Sequence, residues 1–500
     1  MTVVHTRSGA VRGIAYDGVR AWRGIPYAQP PVGVLRWAAP HREVAWDGIR
    51  DGSRFGNRAP QQPSQGLGFG VSLDTDDEAP FEEDCLYLNV CAPEDAAEGA
   101  RMPVQVWIHG GGYTVGSGAQ FIGDGAAVAR RGIVVVTFNY RLGALGLLNL
   151  GGLLGPAEAS AANNTLRDQI AALAWVRENI AGFGGDPGNV TVQGVSAGGK
   201  SVVNLMAAPA AKGLFHRAIT HSGGDHVATP DATTSLARRL TDLLDPPGGD
   251  LTRLRDVPAK DVLAAQLALA DGIQATWIWR PTVDGGLLPQ RPTRALAAGH
   301  AAGIPLVIGS TGNEAGLYHL MDPTAADHTA TIRHEIFGTG AEQAAATYAA
   351  LHPDSTPEDT DRMFMSDERY RASTLRLADA QAHHAPVWHY LFTGPFPGLP
   401  EEFWMFHGSD IPYAWGLYED SAEPAVAVLC HGVQDAWTAF RRHAVPQSDH
   451  LPAWPEYDPV SRATMILDTA PHIAFDGACP QYKVLWADRD WTPGTWWPLP

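Results

Sequence analysis

The pentapeptide Gly194-Val195-Ser196-Ala197-Gly198 sets a serine between two glycines and occurs once in the chain. It follows Asn189-Val190-Thr191-Val192-Gln193, which alternates like a buried strand, and precedes Gly199–Ala208, small and apolar like a helix packed on a sheet. A strand-to-helix elbow of this pattern exposes the serine oxygen, and its glycines are needed because the turn brings the backbone too close to its neighbours for side chains. The chemistry would be nucleophilic attack through an acyl intermediate. The same stretch, Gly194 to Ser201, also satisfies the G-x-x-x-x-G-K-[ST] pattern of a phosphate-binding loop. Local sequence leaves both open. One reading requires an oxyanion loop, a histidine and a carboxylate; the other requires a magnesium-binding Asp that closes an apolar strand.

Groups for the first reading are present. The run Pro103-Val104-Gln105-Val106-Trp107-Ile108 reads as a strand that leads into His109-Gly110-Gly111-Gly112-Tyr113. Three successive glycines leave backbone N–H groups uncovered and able to face a developing negative charge, so an oxyanion role is expected here rather than a packing one. Glu314 follows the strand-like Ile304–Gly309 closely, which puts it on a loop at a strand's carboxyl end. Several histidines compete for the role of base. His389 lies inside an apparent strand, Val387 to Phe392, and is expected to pack there. His431, His443, His450 and His472 sit in stretches with no other sign of a site. His407 lies in the loop Phe406-His407-Gly408-Ser409-Asp410, after aromatic residues. Position alone makes it a candidate without deciding the matter.

The elements that must hold these residues follow from periodicity. Ile133–Phe138 is β-branched enough for a central parallel strand. Asn164 or Thr165 is expected to cap a helix with Leu166, Ile170, Leu173, Val176 and Ile180 on one stripe, ended by Gly182. Arg217–Thr220 and Ile304–Gly309 read as further strands. The residues between them, and Asp322–His384, read as outer helices and cap. Strand, helix, strand, elbow, helix is the alternation of an α/β fold with a largely parallel sheet, where chemistry gathers at the carboxyl ends of strands. The first hundred residues read as short strands and turns, with several prolines that rule out a long helix.

Hydrophobic residues form 45% of the 500-residue chain and charged ones 18%, which suits a large globular core, and no linker divides it, so residues 1–500 read as one domain. The net charge of −18 argues against a nucleic-acid or anionic-membrane partner, because either needs a basic stripe. Neither a secretory signal nor an apolar run of membrane-spanning length is visible, so a cytoplasmic address is expected. Cys85, Cys91, Cys430 and Cys479 lack metal-site spacing, and no metal or cofactor is expected. Gln61–Ala79 reads as a surface loop whose acidic end, Asp74, Asp76, Asp77 and Glu78, is a solvated face rather than a calcium site. The oligomeric state stays open, a monomer included.

Ordered stretches along nearly the whole chain resemble the type-B carboxylesterases. They are Gly24-Ile25-Pro26-Tyr27-Ala28, Glu83 to Val90, His109 to Gly112, Asn139-Tyr140-Arg141, Phe183 to Pro187, the elbow, Pro281 to Gly285, and His407 to Tyr413. The resemblance implies an α/β-hydrolase fold and cleavage of small-molecule carboxylic esters. It implies Ser196 as nucleophile, Glu314 as acid, His407 as base, and Gly111, Gly112 and Ala197 as oxyanion donors. It also implies two ion pairs, Arg36 with Glu83 and Arg141 with Asp168. Three departures stand out. Val195 replaces a Glu common before the nucleophile; residues 57–61 lack the cysteine that cholinesterase-like members pair with the equivalent of Cys85; and residues 61–83 hold Phe69 and Phe81 but no tryptophan to face a quaternary ammonium. Neutral short-to-medium acyl or aryl esters are therefore the expected substrates. A non-catalytic binding protein on the same fold is the competing expectation, disfavoured because all three catalytic residues are kept.

Overall fold

The β-branched runs become strands, and where those strands end decides where the chemistry can sit. The computed structural model describes residues 2–62, 79–119, 125–155, 162–246, 249–270, 278–321, 328–401 and 404–493; the acidic stretch 74–78 lies outside them. The chain falls into two units, one of Met1–Arg217, Val227–Gly272 and Trp277–Arg291, the other of Ala218–His226, Ile273–Thr276 and Pro292–Pro500.

The first unit holds strands β1 (Val3–His5), β2 (Ala10–Arg12), β3 (Ile14–Tyr16), β4 (Val19–Pro26), β5 (Ile49–Asp51), β6 (Tyr87–Pro93), β7 (Met102–Ile108), β8 (Val134–Phe138) and β9 (Gly185–Val195). Strands β1, β2 and β5 form a small sheet of their own. The larger array runs β9-β7-β8-β6-β4-β3, with β7 parallel to both its neighbours and the outer pairs antiparallel. Every residue of β8 is buried, as its unbroken apolar pattern requires. Parallel strands need a long crossover, and the helix Asn164–Asn179 lies in the one that leads from β8 past β7 to β9. Trp107 pairs with Gln193 and Ile108 with Gly194, so the turns after β7 and β9 leave the sheet side by side.

The crossover helix departs from expectation at both ends. Its N-cap is Asn163, which makes no capping bond; its side chain instead donates to Thr282 O (2.9 Å) and Asp284 Oδ2 (2.8 Å) and accepts from Thr282 N (2.8 Å). A tertiary contact has taken the side chain from the helix end. At the other end the coil tightens into the 3-10 turn Ile180–Phe183, and Gly184 rather than Gly182 takes the left-handed conformation, at φ 86°. Leu166, Leu173 and Val176 are buried as expected, whereas Ile170 is only half-buried.

Both expected ion pairs form in this unit. Arg36 Nε lies 2.7 Å from Glu83 Oε2, with a second contact from its guanidinium to Glu83 Oε1. Arg141 grips Asp168 through Nε (2.8 Å) and Nη2 (2.7 Å), and donates from Nη1 to Ala38 O (2.7 Å).

The second unit is built on β10 (Arg217–His221), β11 (Leu306–Thr311), β12 (Val387–Phe392), β13 (Thr464–Leu467) and β14 (His472–Ala474), in the order β14-β13-β12-β11-β10. All pairs are parallel except β13 with β14, which is antiparallel. One expectation fails: the helix Ala372–Gln381, read from sequence as an outer helix, is buried along nearly all its length. It packs on β11 and β12. Alanine and serine allow that close approach, and the same composition on sequence alone suits an exposed helix equally well. Among the described residues no helix is long and apolar enough to cross a membrane.

His389 packs inside β12 as expected, with Nδ1 2.9 Å from Thr464 Oγ1, and burial pushes its pKa down to about 3. His109 in the first unit is likewise pushed down by burial, to about 4. Both therefore fold in the neutral form. The unfolded chain takes up a proton at each below about pH 6.5, so stability falls as pH drops from there toward the folded values. By pH 5 each should cost on the order of 2 kcal/mol relative to pH 7. Urea unfolding of His389→Asn against the parent between pH 7 and 5 checks this: the variant should show a shallower decline, and parallel declines would refute it.

Candidate active site

Strand β9 passes into the helix Ala197–Ala207 through a single residue, Ser196, at φ 56° and ψ −121°. This is a conformation that serine adopts only under constraint. The glycines on either side explain how it is held. A Cβ at Gly194 would lie 2.8 Å from Ile108 O, and one at Gly198 only 2.0 Å from the same oxygen. The elbow is thus pressed against the end of β7.

This geometry decides between the two readings of residues 194–201. A phosphate loop needs several loop residues whose N–H groups form a cradle. Here Ala197 to Ser201 are already helical and buried. Ser201 Oγ accepts from Gln169 Nε2 (3.0 Å) and donates to the Tyr113 hydroxyl (3.3 Å), so its oxygen is committed inside the core.

The triple glycine follows β7, with Gly111 at φ 105° and Gly112 at φ 61°. Contrary to the expectation from sequence, packing also demands glycine here. A Cβ at Gly111 would sit 2.1 Å from Val115 O, and one at Gly110 would lie 3.0 Å from Val195 O and 3.2 Å from Ser196 Cβ. The Gly111 carbonyl accepts from Thr114 N (2.9 Å) and Val115 N (3.0 Å), closing a turn that leaves the N–H groups of 111 and 112 outside its own bonds. Neutral His109 braces the loop: Nδ1 lies 2.8 Å from Gly110 O, and the ring stacks on Tyr140 at 4.2 Å. The Tyr140 hydroxyl donates to His109 O (2.7 Å). Ala197 begins its helix, so its N–H has no intrahelical acceptor and lies at the positive end of the dipole.

The second unit brings Glu314 and His407 together. His407 Nδ1 is 2.5 Å from Glu314 Oε2, and the carboxylate is fully buried. Its other oxygen accepts from the Ser222 hydroxyl (2.5 Å) and from Thr311 N (2.8 Å). Every side of the carboxylate is therefore fixed, which holds the imidazole in one orientation with Nε2 outward. The two loops are pinned to each other by Asn313 N donating to Met405 O (2.9 Å).

Sequence reasoning missed Ser222, Tyr370 and Tyr318. The Tyr370 ring stacks on His407 at 4.4 Å with its hydroxyl 3.4 Å from Nε2, and it exchanges a hydrogen bond with the Tyr318 hydroxyl. Ser222 follows β10 directly and could have been found as a polar residue at a strand's carboxyl end. Tyr370 carries no comparable signal.

The carboxylesterase family's sequence model matches residues 1–479. The para-nitrobenzyl esterase of Bacillus subtilis (strain 168) is 38% identical over 479 residues, covering 93% of this chain and 95% of that protein. The fumonisin B1 esterase of Sphingopyxis macrogoltabida is 33% identical, covering 91% and 84%. Among solved structures, the Geobacillus stearothermophilus carboxylesterase EST55 superposes with a TM-score of 0.86 at 36% identity, covering 97% of this chain and 100% of that one. With an α/β-hydrolase fold, an elbow serine and a buried acid–histidine pair already in place, these likenesses place the chain in the carboxylesterase family, as a carboxylic-ester hydrolase.

Proposed function

We propose that Ser196 is the nucleophile, His407 the general base and Glu314 the acid that orients it, with the N–H groups of Gly111, Gly112 and Ala197 receiving the oxyanion. The observation that carries this reading is the 2.5 Å contact of His407 Nδ1 with a Glu314 carboxylate whose other oxygen is also bound. Nδ1 keeps its proton and makes its hydrogen bond to Glu314 with it, so Nε2 is the basic nitrogen. It takes the Ser196 proton as Oγ attacks the ester carbonyl, and gives that proton to the departing alcohol. Water then repeats the cycle on the acyl-enzyme, returning the proton to Ser196. The family match runs across both units, which supports treating them as one catalytic domain. Four free, buried cysteines fit a reducing cytoplasm.

The substrates proposed are neutral esters of short-to-medium acids, aryl esters included. Val195 removes a negative charge next to the nucleophile, and residues 61–83 contain no tryptophan to hold a cationic alcohol group. Loss of one aromatic face costs an ammonium ligand about 0.5–2 kcal/mol, or roughly tenfold in selection. The test compares kcat/KM for acetylthiocholine with that for para-nitrophenyl butyrate, corrected for leaving-group reactivity, alongside a series of acyl lengths. The neutral ester should be preferred. Equal or better use of the choline ester would overturn the substrate assignment.

A further inference from the structure

We infer that the Tyr370 hydroxyl, backed by Tyr318, orders the water that hydrolyses the acyl-enzyme, making Tyr370 a positioning residue for deacylation. The inference rests on His407 being the base, and three features of the second unit lead to it.

The first is placement. The Tyr370 hydroxyl stands 3.4 Å from His407 Nε2, the nitrogen left basic by the Glu314 contact. That is a long contact for a direct bond, but it sets an oxygen beside the place where any proton donor to Nε2 must approach. The second is the local backbone. Tyr370 lies in a π-turn, Asp367–Arg371, inserted between the helices Pro357–Ser366 and Ala372–Gln381. Such insertions are rare and concentrate at functional sites, because they rotate one side chain out of the helical register. All five residues of this one are buried.

The third is registration to the acid. Arg371 Nη2 donates to Gly312 O (2.7 Å), and Ala315 N donates to Ser366 Oγ (3.0 Å), so both ends of the π-turn are bonded to the loop that carries Glu314. Arg371 is itself held by Asp367 at 3.3 Å. The same bonds that place the carboxylate thus place the Tyr370 ring against His407.

The hydroxyl pair fits this task chemically. Burial pushes the Tyr370 pKa well above the ordinary tyrosine value, so the group stays protonated. The Tyr370 and Tyr318 hydroxyls share one hydrogen bond, which fixes the position of the Tyr370 oxygen. A water hydrogen-bonded to the Tyr370 hydroxyl donates one proton to His407 Nε2 and attacks the acyl carbon. The new C–O bond forms, the bond from the acyl carbon to Ser196 Oγ breaks, and the proton passes from Nε2 to Oγ. During acylation the departing alcohol occupies the same place. An aryloxide leaves without needing a proton, whereas an alkyl alcohol must be protonated as it leaves.

The experiment is pre-steady-state hydrolysis of para-nitrophenyl butyrate by Tyr370→Phe, which keeps the stacked ring and removes only the hydroxyl. Deacylation should slow about tenfold, the worth of one hydrogen bond, while acylation stays within about twofold. Steady-state kcat and KM then fall together and kcat/KM holds. With ethyl butyrate, kcat/KM should also fall. Equal losses in both aryl-ester steps would mark a merely structural role, and unchanged deacylation would likewise overturn the inference. Tyr318→Phe should slow deacylation in the same direction by a smaller factor, and it decides the matter if Tyr370→Phe does not fold. His407→Gln separates the two readings: if it still acylates at the parent rate, the base assignment is what fails.

Discussion

Ser196→Ala is expected to lower kcat for para-nitrophenyl esters by on the order of 10⁴- to 10⁶-fold, with the unfolding midpoint close to that of the parent. The size of the loss follows from removing the nucleophile of a triad, whose members act as a unit. The oxyanion N–H groups and the binding site still act on water, so a residue of catalysis persists. Alanine tolerates φ 56° no better and no worse than serine, which is why the fold should survive. A fluorophosphonate should add its mass to the parent at Ser196 and leave the variant unlabelled. Retention of more than a few per cent of the parent rate would remove Ser196 from the proposed role.

Asp168→Ala should lose about 3–5 kcal/mol of stability, because it strands the Arg141 guanidinium in the core. The two side chains are 4% and 0% exposed and make two parallel hydrogen bonds. One remaining acceptor, Ala38 O, cannot satisfy a buried cation. The contrast is Arg42 with Glu178, where the arginine is 59% exposed and breaking the contact should cost at most about 1 kcal/mol. Urea unfolding of Asp168→Ala and Glu178→Ala side by side measures the difference. Comparable losses would mean that burial of the first pair does not govern its worth.

Legibility in the sequence followed how local the cause was. The elbow, the triple glycine and the loop after β11 depend on backbone features within a few residues, and glycines mark them. His407 was harder, because a histidine in a loop looks the same whether or not a carboxylate awaits it; only the ordered resemblance to a family singled it out. The two ion pairs join residues 47 and 27 positions apart, and came from the same resemblance. Ser222 and Tyr370 reach the site through tertiary packing, 92 positions before Glu314 and 37 before His407. A π-turn leaves no compositional mark comparable to glycine. The N-cap failed for a similar reason, since Asn163 meets a partner more than a hundred positions away.

The backbone at Ser196 also bears on how such a protein can change over generations. A non-glycine residue in so sparsely populated a conformation carries roughly 1–3 kcal/mol of strain, and glycine at the same position would relieve most of it. A substitution that the proposed mechanism expects to abolish hydrolysis is thus also one expected to raise stability. A lineage released from selection for turnover therefore has a downhill step available at residue 196, toward a sturdier protein with the rest of the fold unchanged.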